Sequence, residues 1–183
     1  MDTSRPEAAL HEPVWRFCAS HADIRGGLEA LRKLPALAEA QEEARVTAQA
    51  VLRLFEQQFV GHHVDEETEL FVAVQRSARG TPDAPRVETM VAQLVREHRA
   101  IEQSWSRLRP AVLAVAAGKQ PAQPGWEQEL AGLLQAYFAH AHAEDEQFLP
   151  LADEILSRNP DHLAALDLSL YMRHVPRPRL AYC

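Results

Sequence analysis

One pattern occurs twice in this sequence and limits how the chain can fold. Residues 62–71 read HHVDEETELF and residues 140–150 read HAHAEDEQFLP, so each segment has a histidine followed four residues later by a glutamate. On an α-helix, side chains four residues apart lie on the same face about 6 Å apart, where they can chelate one metal ion. The two pairs are His62 with Glu66 and His140 with Glu144.

Each segment also contains a second pair in an overlapping register. His63 with Glu67 is displaced by one residue, and His142 with Glu146 by two, from the pairs above. Because each residue turns an α-helix by about 100°, these side chains are rotated by about 100° or 200°. We therefore expect only one register per helix to face the interior. In this interpretation His63 and Glu67 lie on the flank of their helix, and His142 and Glu146 lie in solvent.

The composition favours an all-α protein of one domain. Ala, Leu, Glu, Gln and Arg are abundant, whereas the alternating Val, Ile and Thr segments of β-strands are scarce. The 183 residues, 46% of them hydrophobic, are enough for one domain with a substantial core.

The net charge of −7 argues against nucleic acid as a partner, because phosphate binding requires a basic surface. No segment approaches the roughly 20 apolar residues that cross a membrane, and the N-terminus lacks the apolar core of a signal peptide. We therefore expect a cytoplasmic protein without membrane contact. The basic residues near the C-terminus are interleaved with prolines, and we interpret them as a solvated tail: Arg173, His174, Arg177 and Arg179.

Apolar residues recur with a period of about 3.6 in four long segments, which we predict to be helices. Pro35 ends the first helix near Leu34, because proline lacks an amide hydrogen and clashes with the preceding turn. Pro110 predicts a kink or break in the third helix, leaving residues 111–117 as a short separate helix, and Pro150 predicts a bend in the fourth. The predicted helices span residues 12–34, 39–76, 87–117 and 126–158.

Four long helices with short connections fold most simply as an up-down-up-down four-helix bundle, a fold that builds metal sites from facing helices. We assign the bundle to residues 11–158 and a C-terminal extension or tail to residues 159–183, with a short helix over residues 161–171. Residues 1–9 look disordered. Each bundle helix carries one histidine in its apolar stripe, namely His21, His62, His98 and His140.

These histidines and the two repeated glutamates form one candidate metal site. Six ligands exceed the four of a structural zinc, and such zinc sites are usually rich in cysteine. Mixed imidazole and carboxylate ligands suit two ions of iron or manganese, whereas calcium and magnesium prefer oxygen ligands. The alternative is that these are ordinary core or surface residues, but burying two unpaired carboxylates has no structural motive. The candidate ligands are His21, His62, Glu66, His98, His140 and Glu144.

Cys18 and Tyr137 each precede a candidate ligand by three residues. We interpret Cys18 as a packed small hydrophobe rather than a redox group. We interpret Tyr137 as a ring buried in the core, and the alternative is that its hydroxyl reaches the groups around the metal ligands. Cys18 and Cys183 are too few and too far apart for a disulfide framework or a CxxC zinc site, so both are expected to be free thiols.

Over residues 11–158 the order of these motifs resembles the hemerythrin-like, or HHE cation-binding, family. The family pattern of a histidine, then HxxxE, then a histidine, then HxxxE is matched in full. The resemblance implies a four-helix bundle with two non-haem irons joined by an oxo or hydroxo bridge. It also implies that Glu66 and Glu144 bridge the irons.

One departure from the oxygen-carrying members of that family affects the expected ligands. Those members have HxxxH on the third helix and HxxxxD spacing on the fourth, whereas this chain has Glu102 and Glu144 at the corresponding places. We expect the iron held by helices three and four to have fewer imidazoles, which puts simple reversible oxygen carriage in doubt. Glu102 is either an additional ligand or a solvated residue beside Arg99.

Three functional hypotheses follow. The first is a non-haem di-iron protein that binds or senses dioxygen, a related small oxidant or iron, with a small molecule such as dioxygen as its partner. The second is a di-iron redox enzyme acting on peroxide or nitric oxide, so whether the protein is an enzyme stays open. The third is a metal-free helical interaction module. The sequence also leaves a homo-oligomer open.

Overall fold

The chain folds into helices throughout the part that the structure describes. The computed structural model describes residues 11–34 and 41–174, and within these ranges it contains helices and turns but no β-strand. The predicted all-α class is therefore confirmed. Several predictions lie outside the described residues: the disorder of residues 1–9, the start of the second helix near Glu39, and the states of Arg177, Arg179 and Cys183.

Five helices, named α1 to α5, follow one another along the described residues. α1 is Glu12–Arg32, α3 is Ala84–Ala116 and α5 is Pro160–His174. α2 and α4 also contain π turns, in which backbone hydrogen bonds span five residues instead of four. α2 comprises Gln41–Leu54, Val60–Asp65 and Phe71–Ala78, with π turns at Phe55–Phe59 and Glu66–Leu70. α4 comprises Trp126–Ala143 and Leu149–Ser157, with a π turn at Glu144–Phe148.

The first four helices form the bundle. α2 packs against α1 and α3, and α4 packs against α3 and α1, so each helix has two neighbours in a closed ring. Short connections join α2 to α3 and α3 to α4, which makes successive helices antiparallel. The predicted up-down-up-down bundle is therefore confirmed. None of the helices in the described ranges is long and apolar enough to cross a membrane.

Two apolar clusters fill the bundle, and a layer of buried polar side chains separates them. On α1, His21 lies between Phe17 of one cluster and Ile24 of the other. On α3, His98 lies in the same way between Leu94 and Ile101. The polar layer is thus enclosed by apolar side chains at both ends, which keeps bulk water away from it.

α3 passes through Pro110 without a break, so the predicted separate helix of residues 111–117 is wrong. Pro110 is exposed and removes only one helical hydrogen bond. Buried Leu108 and Ala111 on either side hold the helix against the core. α3 ends instead before Gly118, whose φ of 70° is a left-handed conformation that favours glycine.

A π turn begins at the glutamate of each repeated pair, at Glu66 on α2 and at Glu144 on α4. A π turn holds one more residue per hydrogen-bonded turn than an α-helix does. Side chains near it therefore depart from the uniform rotation of about 100° per residue that the sequence analysis assumed. α4 continues past Pro150 directly after its π turn.

α5 includes the short helix that was predicted over residues 161–171, and it packs on the bundle. It contacts α1, α2 and α4, and its side chains Leu166 and Leu170 are buried in one of the two apolar clusters. Its Arg173 donates a hydrogen bond from Nε to Asp65 Oδ1 at 2.7 Å. Arg173 is exposed, as expected, but it lies in a packed helix and not in a tail, because a carboxylate of α2 holds it.

Two adjacent glycines in α1 offer a test of how closely α1 and α2 approach. A Cβ on Gly27 would lie 1.9 Å from Cδ2 of Leu54, whereas a Cβ on Gly26 would meet no atom within 4 Å. We expect Gly26→Ala to raise the free energy of unfolding by about 0.5–1 kcal/mol, through lower unfolded-state entropy. Gly27→Ala is expected to forfeit that gain, because Leu54 must move. Thermal unfolding of both variants measures the difference, and an equal rise in melting temperature would contradict the close approach.

Candidate metal centre

The polar layer consists of five histidines and two glutamates that have almost no exposed surface. The structure brings together all six residues predicted as metal ligands, and it adds His63 to them. Each is 7% exposed or less: His21, His62, His63, Glu66, His98, His140 and Glu144.

The first group of possible ligands contains His21, His62, Glu66 and Glu144, whose ligand atoms all lie within 4.8 Å of one another. The Nε2 atom of His62 is 3.2 Å from Oε1 of Glu66. The Nε2 atom of His21 is 2.9 Å from Oε2 of Glu144 and 3.6 Å from Oε1 of Glu66. Two imidazoles and two carboxylates therefore face one point, supplied by α1, α2 and α4.

The second group contains three imidazoles, those of His63, His98 and His140, again within 4.8 Å of one another. The rings of His63 and His98 are stacked, with centroids 3.9 Å apart and planes inclined by 8°. The same two carboxylates serve this group too. Oε2 of Glu66 lies 3.3 Å from Nε2 of His98, and Oε2 of Glu144 lies 3.3 Å from Nε2 of His140. Both carboxylates thus lie between the two imidazoles of the first group and the three imidazoles of the second.

The prediction that His63 lies on the flank of α2 is wrong, because its side chain is 1% exposed. The inward face of a bundle helix is at least about 100° wide, so two consecutive side chains can both border the interior. A π turn on each side of Val60–Asp65 further alters the local phase. The sequence feature that could have indicated an inward His63 is its position directly after His62. His142 and Glu146 are exposed, as predicted.

Four of the five histidines are held by a carboxylate outside the two groups. In each case Nδ1 is within hydrogen-bonding distance of an acidic side chain, which leaves Nε2 facing the interior. Such contacts orient metal-binding imidazoles and raise their basicity. The pairs are His21 with Asp145 at 2.7 Å, His63 with Glu102 at 3.0 Å, His98 with Glu67 at 2.8 Å, and His140 with Glu97 at 2.9 Å.

Glu102 lies outside both groups of possible ligands. Besides contacting Nδ1 of His63, it accepts a hydrogen bond from Arg99, and its side chain is 30% exposed. The expectation that an ion held by α3 and α4 has fewer imidazoles stays a prediction. The third imidazole near His98 and His140 is that of His63 on α2, and Glu102 of α3 contacts its Nδ1 atom.

Nine polar atoms at the centre are buried without a hydrogen-bond partner among the described residues. They are the Nε2 atoms of all five histidines and both oxygens of Glu66 and Glu144. A buried polar atom without a partner costs roughly 1–3 kcal/mol, and here only the ion-pair contacts between imidazoles and carboxylates offset that cost in the metal-free protein. Metal cations would satisfy all nine, because each atom offers a lone pair to the interior. The donor set therefore fits metal ions, and imidazole with carboxylate suits first-row transition metals.

The charges of the layer compensate one another without metal. Burial opposes protonation of His21, but the carboxylates of Asp145, Glu144 and Glu66 raise its pKa to about 12. In the same way the carboxylate of Glu144 overcomes burial and raises the pKa of His140 to about 9. Protons on imidazoles thus take the place of cations beside the two glutamates, and binding of metal would release them.

His63 behaves in the opposite way. Burial, together with the neighbouring His98, lowers the pKa of His63 to about 2, so the ring stays neutral. A neutral imidazole is ready to coordinate a metal ion without losing a proton. Burial likewise lowers the pKa of His62.

Tyr137 and Cys18 lie beside the centre. Tyr137 has no exposed surface, and its hydroxyl has no hydrogen-bond partner within the described part of the chain. Its ring centroid lies 6.3 Å from that of His140. Burial raises the pKa of the Cys18 thiol to about 11, so the thiol is protonated at neutral pH and lacks the reactivity of a thiolate. This agrees with its interpretation as a packed small side chain.

The opposite pKa shifts of His63 and His140 predict opposite pH effects in the metal-free protein. His63 stays neutral when folded, so its contribution to stability is present above pH 6.5 and lost as the pH falls. His140 stays protonated, so its contribution is present below pH 6.5 and lost as the pH rises through about 9.

We therefore expect His63→Gln to flatten the acid side of the stability profile, by about 1 kcal/mol between pH 6.5 and 5.5. His140→Gln is expected to flatten the alkaline side, by about 1 kcal/mol for each unit between pH 7 and 9. Urea unfolding of the metal-free variants and the parent protein from pH 5.5 to 9 measures both effects. Flattening on the same side in both variants would contradict the charge assignment.

The segment that contains this centre matches a known protein family. The family profile described as the hemerythrin HHE cation-binding domain matches residues 13–152, which include all seven residues of the two groups. No curated protein and no solved structure matches the chain significantly. The matched segment covers most of the chain and contains both HxxxE pairs at the centre of the bundle. The chain therefore belongs to the hemerythrin HHE cation-binding domain family.

Proposed function

We propose that the protein is a non-haem di-iron protein whose centre binds dioxygen or a related small oxidant. The observation that carries the proposal is the arrangement of two imidazole groups around two shared, fully buried carboxylates. A single ion would leave one of the two groups without a cation. Iron is favoured because imidazole and carboxylate together stabilise both of its common oxidation states, and carboxylates can bridge two ions.

The residues present would hold the two irons unequally. His63, His98 and His140 supply three imidazoles to one ion, and His21 and His62 supply two to the other. With Glu66 and Glu144 shared, His21 and His62 would offer an ion on their side fewer protein ligands than His63, His98 and His140 would offer on the other. Iron bound there would supply redox chemistry by exchanging electrons with a small oxidant.

The protein's own residues set the conditions for that chemistry. The four carboxylates outside the two groups keep the Nε2 atoms of their histidines pointed inward, and the two apolar clusters keep bulk water from the two ends of the layer. The hydroxyl of Tyr137 is the one buried protein donor without a partner that lies beside the imidazoles, within the described residues. It is available to donate a hydrogen bond to a molecule at the centre.

A redox enzyme acting on peroxide or nitric oxide is the second candidate function. The cavity beside His62, which opens at the surface, favours it, because turnover requires a route for substrate and product. The metal-free interaction module is disfavoured by the nine unpartnered polar atoms, because an interaction module has no use for them.

Iron content tests the site residue by residue. The parent protein is expected to bind about two irons per chain, as in di-iron bundles. His62→Ala, His63→Ala and His140→Ala should each reduce that content well below two, because each removes an inward imidazole. His142→Ala is the matched control, since this histidine is on the same helix as His140 but exposed. Metal analysis after anaerobic loading provides the measurement, and loss of iron in the control variant would contradict the assignment.

An optical experiment tests the proposed ligand. The anaerobically iron-loaded protein is exposed to air, and we expect new near-ultraviolet and visible absorption as the irons are oxidised. A spectrum that does not change, in protein that holds about two irons, would contradict oxidant binding while leaving iron binding intact. Steady-state consumption of hydrogen peroxide separates the two candidate functions, because a binding protein reacts once and an enzyme turns over.

A further inference from the structure

A cavity of about 810 Å³ lies beside the metal centre, between α1, α2 and α5. Its walls include His62 of the centre and Asp65 next to it on α2. α1 contributes Phe17, and α5 contributes Leu170 and Tyr171. Tyr171 is 62% exposed, so the cavity reaches the protein surface at α5. A cavity of this size can hold a small organic molecule once such a molecule has entered it, so the size limit would lie at the entrance beside α5.

The cavity meets the centre at His62. This residue is 7% exposed, whereas the other six residues of the two groups are 2% exposed or less. His62 also belongs to the group with only two imidazoles. The cavity therefore leads to the side of the centre that has fewer imidazoles.

α5 forms one wall of the cavity, and ion pairs join it to α2 on one side and to α1 on the other. Arg173 binds the buried carboxylate of Asp65 on α2, with Nε and Oδ1 2.7 Å apart. Asp167 of α5 pairs with Arg16 of α1, with 2.9 Å between Nη1 and Oδ1. The second pair is half-exposed and contributes little, whereas the first is more enclosed, with Asp65 11% exposed at its side chain. The Arg173–Asp65 pair is thus the stronger fastening.

α5 also lies outside the segment that matches the family, which ends at residue 152. A helix that is added to the bundle, and that lies over the approach to its centre, can regulate access without altering the metal ligands. Its free energy of local unfolding is expected to be small, because the helix is short and few of its side chains are buried.

We propose that α5 is a gate on the route to the metal centre, and that Leu170 and Tyr171 limit the size of the molecules that reach His62. The ion pair between Arg173 and Asp65 keeps the gate closed. Small uncharged or three-atom ligands pass beside α5, whereas larger organic molecules require α5 to move. The inference rests on the proposed iron centre, and its test separates the failure of one from the failure of the other.

The test compares Arg173→Gln with Arg158→Gln in iron-loaded protein. Arg158 also pairs with carboxylates, Asp83 and Glu154, but does not line the cavity. We expect 2,2′-bipyridine to remove iron several-fold faster from Arg173→Gln than from the parent, and at an unchanged rate from Arg158→Gln. Tyr171→Ala, which alters an exposed side chain, should also accelerate removal. Equal rates in the parent and in the Arg173 and Tyr171 variants would overturn the gate.

Two further readouts separate a gate from a general loosening of the fold. Binding of azide, a three-atom ligand, is expected to proceed at similar rates in the parent and Arg173→Gln; equal acceleration of azide and bipyridine would overturn the size limit. Hydrogen exchange of the metal-free protein should rise in Arg173→Gln within residues 160–174 only. Faster exchange across the whole bundle would overturn the gate as well.

Iron content measured before the experiment distinguishes the two proposals. Protein that binds no iron would overturn the proposed function and the gate together. Protein that binds iron but releases it to bipyridine at the same rate in every variant would overturn the gate alone.

Discussion

Two carboxylates with no exposed surface, those of Glu66 and Glu144, set the requirement that the rest of the centre meets. An isolated charge in a protein interior costs several kcal/mol, so each carboxylate needs positive charge close by. Three imidazoles carry raised pKa values and provide that charge as protons in the metal-free state. Metal cations provide it in the loaded state. The bundle, its apolar clusters and its π turns all serve to hold these opposite charges at one level.

The bundle could be predicted from the sequence because its signals are local and redundant. Apolar residues repeat along each helix, and the inward side chains His21, His98 and Glu144 fall in those stripes, as the structure shows. The predicted break at Pro110 was wrong, because packing of the residues on both sides of this exposed proline outweighs the loss of one hydrogen bond. Local propensity carries no information about that balance.

The composition of the site was harder to predict. The assumption of one inward register per helix excluded His63 from the predicted ligands. A π turn and a wide inner face allow two consecutive side chains of α2 to border the interior. The outer carboxylates had no sequence signal of their own, since Glu97 and Glu102 look like solvated helix residues. Only the three-dimensional contact with an imidazole distinguishes them. The same limit applies to Arg173, whose partner Asp65 is 108 residues away in the sequence.

The same histidine and glutamate motifs occur in both halves of the chain, and carboxylates of each half contact histidines of the other. His21, His62 and Glu66 of the first half correspond to His98, His140 and Glu144 of the second. The residue after each glutamate holds the first histidine of the opposite half, as Asp145 does for His21 and Glu67 does for His98.

This correspondence fails at two places in the centre. Where the first half has His63, the second has the buried Ala141, and His140 has Glu97 at its Nδ1 atom whereas His62 has no such carboxylate among the described residues. The methyl group of Ala141 in place of an imidazole makes the two ends of the centre chemically distinct. One end is lined by three imidazoles, and the other faces the cavity at His62.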